Sequence, residues 1–407
     1  MENKNHHEKP DAQYLSVPFQ YLSSPESLPR REREFRIATL RKLYIEPTTL
    51  CNFACPMCAR NFWDDKHFQH MDWDVFTAAV DSAATLGTVE TVFFGGFGEP
   101  LFAPRIVDMV RYARNAGFRT ELITNGKLMD EPMILALLDA GIQSIWVSFE
   151  GEDPNTSGHS AFGADEVREN LRSLYRLRYT HRPEELCELN LSCVIMRSNV
   201  HLLPQIVDTA HQLSAQNVLF THIVPYDESS LDEICYRKVV QAFGGVKGDG
   251  PRSTRIRLPF SDFGDAGMLE FLDSCLLDEN PLLLGLSSVS RQHQYCPFVN
   301  DGDTFVRADG SVCPCMALLH SGPVYFFEEQ RHIKDHTFGK VTERPLADIW
   351  NGEEYTDFRR RVMEFAFSPC YDCGGCELRL ENQEDCIGNA APTCGACLWA
   401  TGVIQCP

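Results

Sequence analysis

Of the chain's 17 cysteines, 13 fall in two stretches, and this limits the possible folds more than any other feature. Three lie within eight residues, at Cys51, Cys55 and Cys58. Ten more stand between residues 296 and 407: Cys296, Cys313, Cys315, Cys370, Cys373, Cys376, Cys386, Cys394, Cys397 and Cys406. The N-terminal MENKNHHEKPDAQ has no apolar stretch of the kind a secretory signal needs. The thiols are therefore expected in a reducing, cytoplasmic setting, where clustered cysteines are metal ligands rather than disulfide partners. An odd total also suits a disulfide framework poorly. Cys187, Cys193, Cys235 and Cys275 stand alone and read as small buried apolar residues.

Between the two cysteine groups the chain alternates short β-branched or aromatic runs with amphipathic segments of helical length. Strands are predicted at Lys42–Glu46, Thr91–Phe94, Arg119–Ile123, Ser144–Phe149, Leu189–Met196 and Asn217–Ile223. Helices are predicted near Asp74–Ala84, Pro104–Asn115, Glu131–Ala140, Ala164–Arg176 and Leu203–Ser214. Six such units specify an α/β fold with a parallel sheet, a partial (β/α)6 barrel whose chemistry lies beyond the C-terminal strand ends. This divides the chain into a polar leader (1–41), a barrel core (42–225), a bridge containing QAFGGVKGDG (226–295) and a cysteine-rich extension (296–407). In the extension, TFVRADGSVCPC reads as a hairpin turning on Asp309–Gly310, and PLADIWNGEEYTDFRRRV as one helix. Acidic residues outnumber basic ones 57 to 37, for a net charge of −20, which argues against nucleic acid or an anionic membrane as partner. No run approaches the roughly 18 apolar residues of a membrane span.

Two motifs follow predicted strands. Cys51-x3-Cys55-x2-Cys58 can bring three thiolates to one face of a cubane iron–sulfur cluster, leaving its fourth iron open. A zinc site, or an electron carrier with its fourth cysteine elsewhere, is the alternative. Gly95-Gly96-Phe97-Gly98-Glu99-Pro100 ends the second strand. Its glycines allow close backbone approach, and its carboxylate suits an ammonium group. A plain turn is the alternative here.

Together the CxxxCxxC loop and the Gly-Gly-x-Gly-Glu-Pro strand end resemble the radical S-adenosylmethionine (SAM) superfamily, over residues 42 to about 225. The resemblance implies that Cys51, Cys55 and Cys58 hold a [4Fe–4S] cluster whose open iron binds the amino and carboxylate groups of SAM. Gly95, Gly96, Gly98 and Glu99 would hold the methionine end of SAM. Asn125, in the Thr124-Asn125-Gly126 turn, and Ser148 would face the cofactor, Ser148 near the ribose. Two positions depart from the family pattern: Met57 stands where an aromatic residue is frequent, and Ser148-Phe149-Glu150-Gly151 replaces Ser-Leu-Asp-Gly.

The C-terminal array, Cys296-x13-Gly310-x4-Cys315 followed by Cys370-x2-Cys373-x2-Cys376-x9-Cys386 and Cys394-x2-Cys397, resembles the SPASM extension of radical SAM enzymes. That resemblance implies one or two auxiliary [4Fe–4S] clusters, with Cys296, Cys315, Cys370, Cys373, Cys376, Cys386, Cys394, Cys397 and Cys406 as ligands and Cys313 outside the set. Zinc knuckles are the alternative. Radical SAM chemistry further implies reductive cleavage of SAM to a 5′-deoxyadenosyl radical, with electrons from a low-potential donor such as ferredoxin or flavodoxin. The segments CNFACPMCARNFWDD, HMDWDVF, VFFGGFGEP and PTCGACLWATGVIQCP resemble the subgroup proposed to mature tungsten-containing aldehyde ferredoxin oxidoreductases. The expected target is that enzyme or its pterin cofactor. A peptide precursor is the second expectation, weakened because residues 1–41 are too polar and proline-broken for a leader-gripping module. A multi-cluster electron carrier is the third, and it has no use for a SAM-binding strand end.

Overall fold

The structure is a computed structural model that describes residues 36–151, 164–236, 255–257, 267, 295–326, 328–370, 376–400 and 403–407. The expected leader up to residue 35, the QAFGGVKGDG loop, Cys275 and Cys373 lie outside the described residues. Six β-strands run parallel in sequence order: β1 (Lys42–Ile45), β2 (Thr91–Phe94), β3 (Arg119–Thr124), β4 (Ser144–Ser148), β5 (Glu188–Ile195) and β6 (Asn217–His222). Each is followed by a crossover, and five contain the helices α1 (Trp73–Leu86), α2 (Ile106–Asn115), α3 (Glu131–Ala140), α4 (Ala164–Thr180) and α5 (Leu203–Gln212).

Local chemistry sets these boundaries. The run Val92-Phe93-Phe94 is buried on both faces, as a strand between helices and barrel interior must be. Asp130 caps α3 by accepting the Met133 N–H at 2.9 Å, and α3 ends where Gly141 turns left-handed at φ 88°.

The sheet continues beyond the six units. A short β7 (Arg255–Arg257) adds parallel to β6. On the opposite edge, the extension contributes α6 (Pro297–Asp301) and then β8 (Asp303–Val306), which pairs parallel with β1 in the register Lys42↔Asp303 to Ile45↔Val306. The hairpin expected around Asp309–Gly310 is present: β9 (Val312–Cys313) returns antiparallel to β8. A second hairpin, β10 (Gly322–Phe326) with β11 (Glu329–Ile333), crosses the barrel mouth. It is fixed to the cluster loop by Asp64 N–H donating to the Ser321 carbonyl, and to the end of β6 by Tyr325 N–H donating to Pro225.

The helix expected as one piece over 345–362 is two, α7 (Leu346–Trp350) and α8 (Glu353–Glu364), because Asn351-Gly352 breaks it and Gly352 is extended. The break lets Trp350 Nε1 bond to the Ala38 carbonyl and Arg359 Nε to the Ile37 carbonyl, while Ala347 N–H reaches Ser82 on α1. The chain then returns to the barrel, where Gln405 N–H donates to Thr221 and Lys42 Nζ to the Pro407 carbonyl. No described helix is long and apolar enough to cross a membrane.

Candidate active site and cluster-binding centre

The loop after β1 carries the first three thiols. It is held from within: Asn61 Nδ2 donates to the Cys55 carbonyl at 2.9 Å, Arg60 Nε to the Thr49 carbonyl at 2.9 Å, and Cys58 N–H to Cys55 at 3.1 Å. Cys51 Sγ accepts the Phe53 N–H at 3.4 Å and lies 3.8 Å from Asn125 Nδ2. Burial pushes the Cys51 thiol up, and the nearby Glu99 and Cys58 add to this. A metal reverses that preference, since a coordinating thiol is deprotonated outright.

The glycine-rich strand end docks against the same loop. A Cβ on Gly98 would lie 2.0 Å from the Thr48 carbonyl oxygen, and one on Gly96 would lie 2.7 Å from the Glu46 side chain. These glycines therefore admit protein, not ligand, on their bare side. Glu99, expected to hold an ammonium group, makes three hydrogen bonds within the protein. Only 3% exposed, its carboxylate accepts Leu101 N–H at 3.0 Å and Thr124 Oγ1–H at 2.7 Å on Oε1, and Asn125 N–H at 2.8 Å on Oε2. It ties the Gly95–Pro100 turn to the Thr124-Asn125-Gly126 turn. Asn125 in turn donates to Asn52 Oδ1 at 2.9 Å, which holds it over the cluster loop. Ser148 lies at the end of β4, half-buried and opposite Ser192 of β5.

In the extension, the structure draws Cys296 and Cys315, both buried, and Cys394 and Cys397, both half-buried, into one group. Burial pushes Cys296 up to about 12 and raises Cys315, Cys394 and Cys397. Cys315 feels the other three, and Cys394 feels Cys397 and Cys296. Among the described residues, no three Cys, His, Asp or Glu side chains close to single-ion distance. A cubane does not require this, because each thiolate binds a separate iron corner.

Cys406 was expected as a further ligand; its thiol accepts Trp399 Nε1–H at 3.3 Å and lies 3.6 Å from Met316 Sδ. Cys370 lines the central cavity, Cys376 precedes the short turn Glu377–Leu380, and Cys386 is exposed with Ser368 Oγ at 3.0 Å. Cys313 is fully buried on β9.

Between the cluster loop and the extension lies a cavity walled by Trp63, Phe97, His320, Tyr226, Trp399 and Cys315. One polar residue on its wall, His320, and one behind it, Glu46, were not singled out as site residues from the sequence. Glu46, 1% exposed, receives His320 Nε2 at 3.2 Å and the Phe97 N–H at 3.3 Å. His320 stacks on Trp63 with ring centroids 3.7 Å apart. An acidic residue closing an apolar strand, Lys-Leu-Tyr-Ile-Glu, was the available signal for Glu46. His320, 274 positions away, had none. Just beyond the end of β6, Tyr226 lines the cavity, whereas His222 is buried against Tyr236.

Family comparisons agree with this geometry. The radical SAM superfamily model matches residues 45–189, and the SPASM iron–sulfur cluster-binding domain matches 296–377. A PqqA peptide cyclase of Gluconobacter oxydans is 30% identical over 370 residues, covering 86% of this chain and 89% of its own. The chain is a radical SAM enzyme with a SPASM extension. The family's cofactors are [4Fe–4S] clusters and SAM, and the thiol sets described above fit cubane ligation. Another radical SAM relative, from Pyrococcus furiosus, is a tungsten-containing aldehyde ferredoxin oxidoreductase cofactor-modifying protein. It is 28% identical over 384 residues, covering 90% of this chain and 97% of its own. In fold, the enzyme resembles Streptococcus suis SuiB bound to precursor peptide SuiA, with a TM-score of 0.55 at 13% identity over 84% of this chain and 71% of that one.

Proposed function

We propose that this radical SAM enzyme is a cytoplasmic maturase that modifies the cofactor, or the cofactor-bearing chain, of a tungsten-dependent aldehyde ferredoxin oxidoreductase. The observation that carries this reading is the P. furiosus alignment, which runs through both the barrel and the cluster-binding segment and covers 97% of that protein. When bound, the cluster and SAM supply a 5′-deoxyadenosyl radical by one-electron reductive cleavage. In this reading residues 42–225 form the catalytic part and 296–407 the auxiliary part. Cys51, Cys55 and Cys58 hold the first cluster. The backbone of Gly95, Gly96 and Gly98, with Asn125 and Ser148, binds SAM, while Glu99 positions Asn125. Trp63 and Phe97 keep water from the reacting end of the cavity, and His320 with Glu46 can hold a proton at Nε2 on its wall. One auxiliary set is Cys296, Cys315, Cys394 and Cys397; a second is Cys370, Cys373, Cys376 and Cys386. A low-potential ferredoxin or flavodoxin supplies the electron.

Anaerobic co-expression with a tungsten oxidoreductase, with and without this enzyme, tests the reading. Omission should change the pterin cofactor's composition and lower oxidoreductase activity. An unchanged cofactor in a fully active oxidoreductase overturns it. The 30% identity to a PqqA peptide cyclase then favours the second reading, a maturase acting on a peptide precursor.

A further inference from the structure

His320 carries the extension to the barrel mouth. Half-buried and bordering the cavity, its ring stacks on Trp63 and meets Phe97 edge-on at 5.9 Å between centroids. Its Nε2 lies 3.3 and 3.2 Å from the two carboxylate oxygens of Glu46, just past the end of β1. These partners belong to the cluster loop, the glycine-rich strand end and β1, so the ring sits on the barrel side of the cavity, away from the auxiliary thiols. Glu46 is 1% exposed, and among the described residues no lysine or arginine pairs with it. Besides the imidazole it accepts only the Phe97 N–H, at 3.3 Å. A carboxylate so enclosed needs the N–H of the ring, which assigns the proton to Nε2 and the lone pair to Nδ1. Nδ1 makes no hydrogen bond to a described residue, yet it is not sealed in, unlike the unpaired Nδ1 of His70 and Nε2 of His336. An imidazole oriented by a carboxylate, with its second nitrogen open, is built to accept a proton.

We propose that His320 is a catalytic base, whose Nδ1 takes a proton from an O–H or N–H of the substrate next to the carbon that gives up its hydrogen atom, with Glu46 as the positioning residue. Loss of that hydrogen atom makes the neighbouring O–H or N–H far more acidic than in the intact substrate. In the transfer this bond breaks heterolytically, its electron pair stays on the substrate, and the proton becomes the Nδ1–H of an imidazolium balanced by Glu46. Nothing is oxidised or reduced in this step. The inference deepens the proposed function and rests on its radical chemistry, not on the tungsten target. It restricts the substrate, pterin or peptide, to one with a C–H beside an N–H or O–H.

The first test needs no substrate. Diethyl pyrocarbonate, which acylates an accessible neutral imidazole nitrogen, is applied to the anaerobically purified holoenzyme, and the modified histidines are mapped by peptide mass. His320 should be among them; an unmodified His320 overturns the proposal whatever the target is. In the second test, purified variants act on the unmodified tungsten oxidoreductase obtained by omitting this enzyme. His320→Gln should slow cofactor modification by about 10²-fold or more, the range of a lost general base. Its SAM affinity by equilibrium dialysis, its iron content and its electron paramagnetic resonance (EPR) spectrum should stay those of the wild type. Glu46→Gln should lose less, and added imidazoles should rescue His320→Ala, the more basic ones better. Wild-type rates in His320→Gln overturn the proposal. So does weakened SAM binding without imidazole rescue, since the ring would then only brace the Phe97 turn, or a shifted EPR signal, since it would then serve a cluster. The diethyl pyrocarbonate result decides the matter even if the variants fail to fold. A reactive His320 beside a failed oxidoreductase experiment keeps the base assigned and moves the target to the peptide class.

Discussion

Glu99→Gln keeps the shape of a buried side chain and removes the property on which three hydrogen bonds depend. Oε1 accepts from Leu101 N–H and Thr124 Oγ1–H, and Oε2 from Asn125 N–H. Either orientation of the amide turns its NH2 group toward a donor, so at least one buried N–H loses its acceptor, at about 1–3 kcal/mol. The remaining bonds fall from charge-assisted to neutral, roughly half their strength, for a combined loss of about 2–5 kcal/mol. Thr124→Val removes one donor and should cost about 1 kcal/mol. Because the two side chains share a bond, the double variant should lose less than the sum of the singles, by about 1 kcal/mol. Urea unfolding of the four cluster-loaded proteins under anaerobic conditions gives the cycle. SAM binding to Glu99→Gln should also weaken, because Asn125 is no longer fixed over the cluster loop. If Glu99→Gln is as stable as wild type and only SAM affinity falls, the carboxylate works on the ligand and this reasoning is wrong.

Cys51, Cys55 and Cys58 replaced together by Ala should remove about four irons and four sulfides from a total of about twelve each, by anaerobic metal analysis; zinc, or four irons in the intact enzyme, refutes three cubanes. Asp309 lies in the β8–β9 turn. Burial alone would raise its pKa, but the hydrogen bonds and charge of Arg307, with the Ser311 donors, outweigh this and hold the carboxyl well below its usual range. A depressed carboxyl stabilises the fold above its unfolded pKa of about 4, and the contribution fades as pH falls through the folded value. Asp309→Asn should therefore lower the unfolding midpoint at neutral pH, with a difference that shrinks in acid; a constant difference from pH 7 to 3 counts against the pairing.

Much of the barrel was legible because its signals are local. Strand runs such as Thr91–Phe94 and caps such as Asp130 and Gly141 act over a few residues, and the structure keeps those elements to within a few positions. The β10–β11 hairpin, the break at Asn351-Gly352 and the pairing of β8 with β1 were not legible in the same way. For β8, Asp303–Val306 announces a strand but not which edge it joins, and its partner lies about 260 residues earlier. Spacing in the sequence marks candidate cluster thiols but not their grouping, since Cys296 and Cys394 meet only through the fold. Glu99 shows a subtler limit. A sequence marks a carboxylate at a strand end but not whether it faces a ligand or the neighbouring turn.

The pairing of β8 with β1 bears on whether the two family segments are separable modules. Cutting the chain between them would strip β1 of its outer neighbour and expose a row of backbone N–H and C=O groups beside Leu43 and Ile45, both fully buried in the intact chain. An uncovered parallel edge of that kind recruits other strands, so an isolated barrel is expected to aggregate rather than fold as a smaller enzyme. Chimeras that exchange cluster-binding segments between relatives inherit the same constraint. Residues 303–306 belong with the barrel's sheet, and a workable junction must lie before α6 or carry a replacement strand in the same register.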